Sequence, residues 1–297
     1  MNTNIITIGF DNSEIDRYTL QAANTLDDML SVKKIICAHV KPEFDVTDAL
    51  FHKKKVALST EKNENSVIID QLKNTQGYAL DNITKQHTNI VIKHGGVMPG
   101  LIKILEENSA NLLVLGQHPV ANGHGTLIRN LIRRSSTNVL LVPKVALRKV
   151  KKVVVALDFS AHSEKVVETI NQMAHIINSP LEITFVNVSH KAEFEAYRDH
   201  QQNTEFTRGE TRTNRAYKDL ITKYEFPNYC KLEFIELIAD SSRVHESIIN
   251  TAKEEKADLI VVGNIGHSPY KQFYLGSVAE KLTLTDLPCA TLFVSVF

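Results

Sequence analysis

The chain has 297 residues, 43% of them apolar, and its 34 Lys and Arg balance 34 Asp and Glu. Such a balance supplies no global field toward nucleic acid or an anionic membrane, and no apolar run approaches the length of a bilayer span. The length suits one large core or two of ordinary size, and two is the expectation. The opening M-N-T-N-I-I-T-I-G-F lacks a basic segment ahead of an apolar one, so a cytoplasmic chain without a signal peptide is expected. Cys37, Cys230 and Cys289 share no C-x-x-C spacing and sit in or beside apolar runs, as reduced core thiols do.

In chain order, Ile5 to Ile8 reads as a strand ending in G-F-D-N-S. Ile15, Tyr18, Ala22, Leu26 and Met29 then recur at helical steps. Ile35 to Val40 is a second strand, Lys41 to about Lys62 a polar loop or solvated helix face, and Val67 to Ile83 a helix by period. Ile90 to Ile92 is a strand, Leu101 to Leu105 lies in a helix, and Leu112 to Leu115 is a strand ending at Gly116. After the basic segment Lys144 to Lys152 the order starts again. Val153 to Leu157 is a strand, and Val166, Val167, Ile170, Met173, Ala174 and Ile177 form a helical face. Ile183 to Val188 is a strand, Ser189 to Arg215 is polar and uninformative, and Leu232 to Ile238 reads as the strand in fourth position.

The restart is a repeat. Asp11 to Asp158, Ser13 to Ser160, Ala110 to Ala257 and Gly116 to Gly263 are each 147 residues apart, and Val40 to Val188 is 148. A register held this closely predicts two copies of one domain, residues 1–147 and 148–297. Alternating strands and helices imply parallel crossovers, hence two mostly parallel α/β sheets with helices on both faces. Ligands in such sheets sit beyond the carboxyl ends of the strands, where Asp11, Asp158, Gly116 and Gly263 all fall.

The most informative stretch is V-V-G-N-I-G-H-S-P-Y-K-Q-F-Y-L-G-S-V, Val261 to Val278. An apolar strand stops at Gly263, Gly266 follows, and Gly276-Ser277 opens a helix. Glycines permit positive φ and close approach of a ligand, and unpaired N–H groups at a helix start favour phosphate. A plain strand-to-helix turn with Ser277 near the N-cap accounts for the glycines alone equally well. The loop is neither a Walker A nor a Rossmann fingerprint. G-x-x-G, nine residues, G-S, then V-A-E-K-L and L-P-C resembles the nucleotide-binding signature of the universal stress protein family. The likeness is carried by Gly263, Gly266, Gly276, Ser277, Val278, Ala279, Glu280, Leu287, Pro288 and Cys289.

The resemblance implies a loop that holds the phosphates and ribose of ATP, with or without Mg2+. It brings Val262, Gly263, Gly266, Gly276, Ser277 and Val278 to the ligand. The adenine is implied to meet Ala156, Leu157 and Asp158, with Val188 beside them, although Asp158 and Ser160 also suit an Asx-turn or helix cap. Family members pair through their last strands, so Val139 to Val142 and Ala290 to Val294 are expected to pair as an internal pseudo-dimer. A further homodimer stays open. Domain two departs from the pattern at Ala239 and Asp240, where a glycine and a proline are usual.

In the first half, Pro119 stands where the second glycine belongs, and proline has no N–H for a phosphate. Gly125-Thr126 matches Gly276-Ser277, with Gly116 to Gly125 spanning 9 steps against 13 for Gly263 to Gly276. The expectation is one nucleotide site, in the second half, with Gly125-Thr126 a structural turn or a site for a smaller anion. Arg129, Arg133 and Arg134 read as a solvated face or an anion or partner patch. His94, His118 and His124 lack metal-ligand spacing, and His245-Glu246 fails as H-E-x-x-H at Ile249. For hydrolysis the candidates are His267, Lys271 and Ser277, with Asp158 or Asp240 for a metal, a thin set that predicts slow turnover at most. The expected function is ATP-dependent regulation of a protein partner in a stress response. A slow ATPase and a nucleotide-independent interaction module are the alternatives.

Overall fold

The apolar runs of both halves become neighbours in one sheet. In this computed structural model, residues 5–42, 88–118, 125–190, 211–240, 242–266 and 275–296 are described. The expected helix Val67 to Ile83, most of the polar segment before it, Pro119, His124, His267 and Lys271 lie outside them. In chain order the first half supplies β1 (Ile5–Phe10), α1 (Asp16–Leu30), β2 (Lys34–Lys41), β3 (Thr88–His94), α2 (Val97–Glu107), β4 (Leu112–Gly116), α3 (Gly125–Arg134) and β5 (Asn138–Val142). The second supplies β6 (Lys152–Ala156), α4 (Ser163–Ile177), β7 (Leu181–His190), α5 (Arg212–Ile221), β8 (Cys230–Ala239), α6 (Val244–Glu254), β9 (Leu259–Gly263), α7 (Ser277–Thr283) and β10 (Ala290–Val294). The strand assigned to fourth position is thus third in its half, as β8, and it forms an edge of the sheet.

The sheet has ten strands in the order β3-β2-β1-β4-β5-β10-β9-β6-β7-β8. Neighbours within each half are parallel, while β5 and β10 meet antiparallel, with Leu140 opposite Leu292 and Val139 opposite Phe293. This corrects the expectation of two sheets: the last strand of each half is the edge the other half covers, so a single mixed sheet results. The two expected cores give way for the same reason. On one face, α1 and α4 share a cluster that contains Ile6, Leu26, Val153, Ile170 and Leu292, and on the other α2, α3 and α7 share a cluster with Leu113, Leu141 and Phe293. Alternate residues of β4 divide between the faces, Leu112 and Val114 to one, Leu113 and Leu115 to the other, as a strand covered on both sides requires.

Backbone detail repeats with the sequence. Asn12, Ser31 and Ser109 have positive φ (63°, 50°, 50°), and so do Phe159, Asn178 and Lys256 (56°, 47°, 52°), each 147 positions later. Ser31 and Asn178 end α1 and α4 in the left-handed conformation that closes a helix. The basic segment between the halves is not a free linker. Leu147 and Val150 are buried in the shared core, and the Leu147 carbonyl accepts a hydrogen bond from the Thr25 hydroxyl at 3.0 Å. All three cysteines are unbridged, Cys37 and Cys289 buried and Cys230 half-buried. Among the described residues no helix is long and apolar enough to cross a membrane.

Two side-chain amides tie the halves reciprocally. Gln117, just after β4, donates from Nε2 to the Thr285 carbonyl (2.8 Å) and accepts from the Leu287 N–H (3.3 Å). Asn264, just after β9, donates from Nδ2 to the Ile132 carbonyl (3.1 Å) and accepts from the Val296 N–H (3.3 Å). Gln117 is buried, so Gln117→Ala strands two polar groups of the other half and is expected to lower stability by about 1–2 kcal/mol, read from the urea midpoint. An unchanged midpoint would mean that water replaces the amide.

Candidate functional site

Each half changes direction at one point: β2 and β3 lie on one side of β1 and β4 on the other, as β7 and β8 lie on one side of β6 and β9 on the other. Helical crossovers leave a crevice at such a point, beyond the strand ends. In the second half a cleft of about 1170 Å³ opens there. Ala156, Leu157 and Asp158 line it from the end of β6, Val188 from β7, Val262, Gly263 and Gly266 from β9 and its loop, and Gly276, Ser277 and Val278 from the start of α7. The ten residues singled out in the sequence are brought together in this one cleft. Asp240 is exposed and is not among the lining residues.

Asp158 serves the turn and faces the cleft. Its Oδ1 accepts from the Ser160 N–H (3.0 Å) and the Ser163 hydroxyl (2.9 Å), which fixes the entry to α4. Its Oδ2 lies on the Gly266 side, where a Cβ would stand 2.9 Å away. A Cβ on Gly276 would sit 3.3 Å from the Gly266 nitrogen and 3.5 Å from the Asn264 carbonyl oxygen, which itself accepts from the Gly276 N–H at 2.8 Å. Gly266 answers to the close approach of a carboxylate and Gly276 to that of backbone, neither to handedness. Among the described glycines only Gly95 has positive φ, 119°.

The opposite wall is polar, and sequence reasoning missed it. Asn187 is buried and donates to the Leu157 carbonyl (2.8 Å), and the Ser189 hydroxyl donates to Asn187 Oδ1 (3.0 Å). The Thr211 hydroxyl donates to Glu236 Oε2 (2.9 Å) and accepts from the Asn214 N–H (3.2 Å), so it caps α5 as it holds Glu236. Phe159, His162, Arg212 and Glu280 also line the cleft. An asparagine inside the apolar run of β7 was the available signal. The stretch before α5 has no apolar period to mark it.

At the corresponding place in the first half, described side chains close in on the strand ends. Ile15, at the position of His162, is buried, and its Cγ2 would lie 2.2 Å from a Cβ on Gly116. Asp11, at the position of Asp158, has its Oδ2 engaged by His118 Nε2 at 2.6 Å. Burial raises the Asp11 carboxyl, but the Ser13 hydroxyl and the His118 charge outweigh it and hold it below the usual range. Asp16 replaces Ser163 and is buried beside Asp11, and burial, then the Asp11 charge, push its carboxyl up to about 7.

The arginines expected on a solvated face do not all lie free. Arg129 donates from Nη1 to Glu280 Oε1 across the halves (2.9 Å), from Nε to the Gly125 carbonyl (3.2 Å) and from Nη2 to the Thr126 hydroxyl (3.2 Å). The pair that would head a second loop is thereby tied down by the chain itself. Arg133 reaches Asn130 Oδ1 at 2.8 Å. Among the described residues no group of three or more His, Cys, Asp or Glu side chains is placed to hold a metal ion.

Comparison with known proteins adds a lineage to this geometry. Residues 149–294 match the model of the universal stress protein family. A universal stress protein from Archaeoglobus fulgidus DSM 4304 is similar over 100% of both chains, with a TM-score of 0.70 and 16% identity. A functionally unknown protein from Pseudomonas aeruginosa PAO1 is similar over 98% of this chain and 92% of its own, with a TM-score of 0.61 and 12% identity. At these identities the likeness is one of fold. No curated protein matches the sequence.

Proposed function

Because the chain belongs to the universal stress protein family, we propose that the cleft beyond β6 and β9 binds one adenine nucleotide, ATP with Mg2+, and that occupancy is reported to a protein partner. The observation that carries this reading is the convergence of Ala156, Leu157, Asp158, Val188, Val262, Gly263, Gly266, Gly276, Ser277 and Val278 on one cleft of sufficient size. The adenine lies against Ala156 to Asp158 and Val188. Ribose and phosphates lie along Gly263, Gly266 and Gly276 to Val278, where a Cβ on any of the three glycines would crowd a neighbour at 2.9 to 3.3 Å. Bound Mg2+ supplies charge neutralisation of the phosphates, while the chain's own residues bind, orient and exclude water.

Residues 148–297 are the binding domain in this reading, and residues 1–147 are a domain of the same design whose site is closed by Ile15 and the Asp11–His118 pair. The protein acts in the cytoplasm as a sensor rather than as an enzyme, through the bias that a ligand places on conformation. Equilibrium titration of the full chain with ATP and Mg2+ is expected to give one site per chain. Two equivalent tight sites would overturn the closed-site assignment, and no site would overturn the reading.

A further inference from the structure

Three carboxylates line the described part of the cleft, and they are not equivalent. Asp158 accepts from Ser160 and Ser163, and Glu236 from Thr211, so each is engaged by hydroxyl or N–H donors of its own half. Glu280 stands on α7 itself, one helical turn after Ser277 and on the same side of the helix. An ionised carboxylate there opposes a polyphosphate laid along Gly276 and Ser277. Its direct counter-charge comes from the other half, as Arg129 Nη1 at 2.9 Å. Arg129 is itself fixed by the Gly125 carbonyl and the Thr126 hydroxyl, so the charge is held in place rather than left on a mobile stem.

We propose that Arg129 is a positioning residue of the nucleotide site supplied by the other half: by pairing with Glu280 it makes the phosphate end of the cleft tolerant of a polyanion. The inference rests on the nucleotide reading above and gives the first half a role in a site it does not contain. A partly exposed pair has a modest worth, so Arg129→Gln is expected to weaken ATP binding about three- to fivefold.

The test titrates the full chain with ATP and Mg2+ and, separately, with adenosine, which lacks the phosphates. Arg129→Gln should lose affinity for ATP and keep it for adenosine. Arg129→Lys should retain most of the ATP affinity, and Arg129→Gln with Glu280→Gln should restore it, since the uncompensated acid is then gone. Glu280→Gln alone leaves Arg129 in place and should hold or tighten ATP binding, which keeps the inference testable should Arg129→Gln fold poorly. Equal loss for ATP and adenosine, unchanged ATP binding in Arg129→Gln, or weaker ATP binding in Glu280→Gln would each overturn it. Wild-type protein that binds neither ligand would instead remove the nucleotide site itself, and this inference with it.

Discussion

With ATP and Mg2+ at about 100 times the Kd, the full chain should gain roughly 2.7 kcal/mol, a rise on the order of several degrees in its thermal transition. A Gly276→Val chain should show no rise. Gly276 is packed against the Gly266 nitrogen and the Asn264 carbonyl, so a β-carbon there already crowds the backbone and the two valine methyls add bulk beyond it. The loop must open, or the phosphates lose their place. One continuous sheet predicts that the shift appears in the main transition rather than in a separate one for the second half. A rise that survives in Gly276→Val would move the ligand elsewhere. Absence of a rise in wild type at millimolar ATP, with no nucleotide retained through purification, would favour the nucleotide-independent interaction module.

Asp16→Asn should change how stability depends on pH. The Asp16 carboxyl titrates near 7 when folded and near 3.8 when unfolded. Below about 3.8 it is neutral in both states and costs nothing by ionisation. Between 3.8 and 7 the unfolded chain has released the proton and the folded chain keeps it, so wild-type stability falls as pH rises through this window. Above 7 the folded chain carries a buried anion beside Asp11. The full displacement corresponds to roughly 4 kcal/mol as a ceiling, and solvent relaxation reduces it to about 2–4 kcal/mol. The substituted amide cannot ionise, so the variant should gain on wild type by that amount between about pH 4 and pH 8 in urea unfolding. A gap that stays constant with pH would show that Asp16 is ionised in the folded chain throughout, held by partners stronger than the Asp11 N–H at 3.5 Å.

What could be read from the sequence was what repeats with a period. The short apolar runs of the strands and the helical faces of α1 and α4 placed those elements within a few residues. The 147-residue register was legible at Asp11 and Asp158 or Gly116 and Gly263, and only the backbone angles extend it to left-handed positions such as Asn12 and Phe159. The glycine spacing pointed to residues that the fold brings to one cleft, where a Cβ on Gly266 or Gly276 would crowd its neighbours. The helix α5 escaped notice because it emerges from a long polar stretch and fully buries only Leu220, with Tyr217 and Ile221 packed at the margin of the core. The polar wall of Asn187, Ser189, Thr211 and Glu236 escaped because its members are far apart in sequence and meet only when β7 and β8 pair. The fusion into one sheet was half legible: the last strands were expected to pair, but pairing and separate sheets are incompatible.

The pair Arg129 and Glu280 has a further meaning for assembly. Each stands four residues after the glycine that heads its helix, Gly125 and Gly276, so the two occupy equivalent positions of the repeat and meet across its approximate twofold axis. In a dimer of identical subunits, residues on the axis face their own copies, and a charge there repels itself. Two second halves brought together in this way would set Glu280 against Glu280, and two first halves Arg129 against Arg129. Duplication within one chain lifts that constraint, and the sequence has used the freedom to place opposite charges on the axis. The same contact that joins the unlike halves therefore discourages like halves of different molecules from exchanging partners.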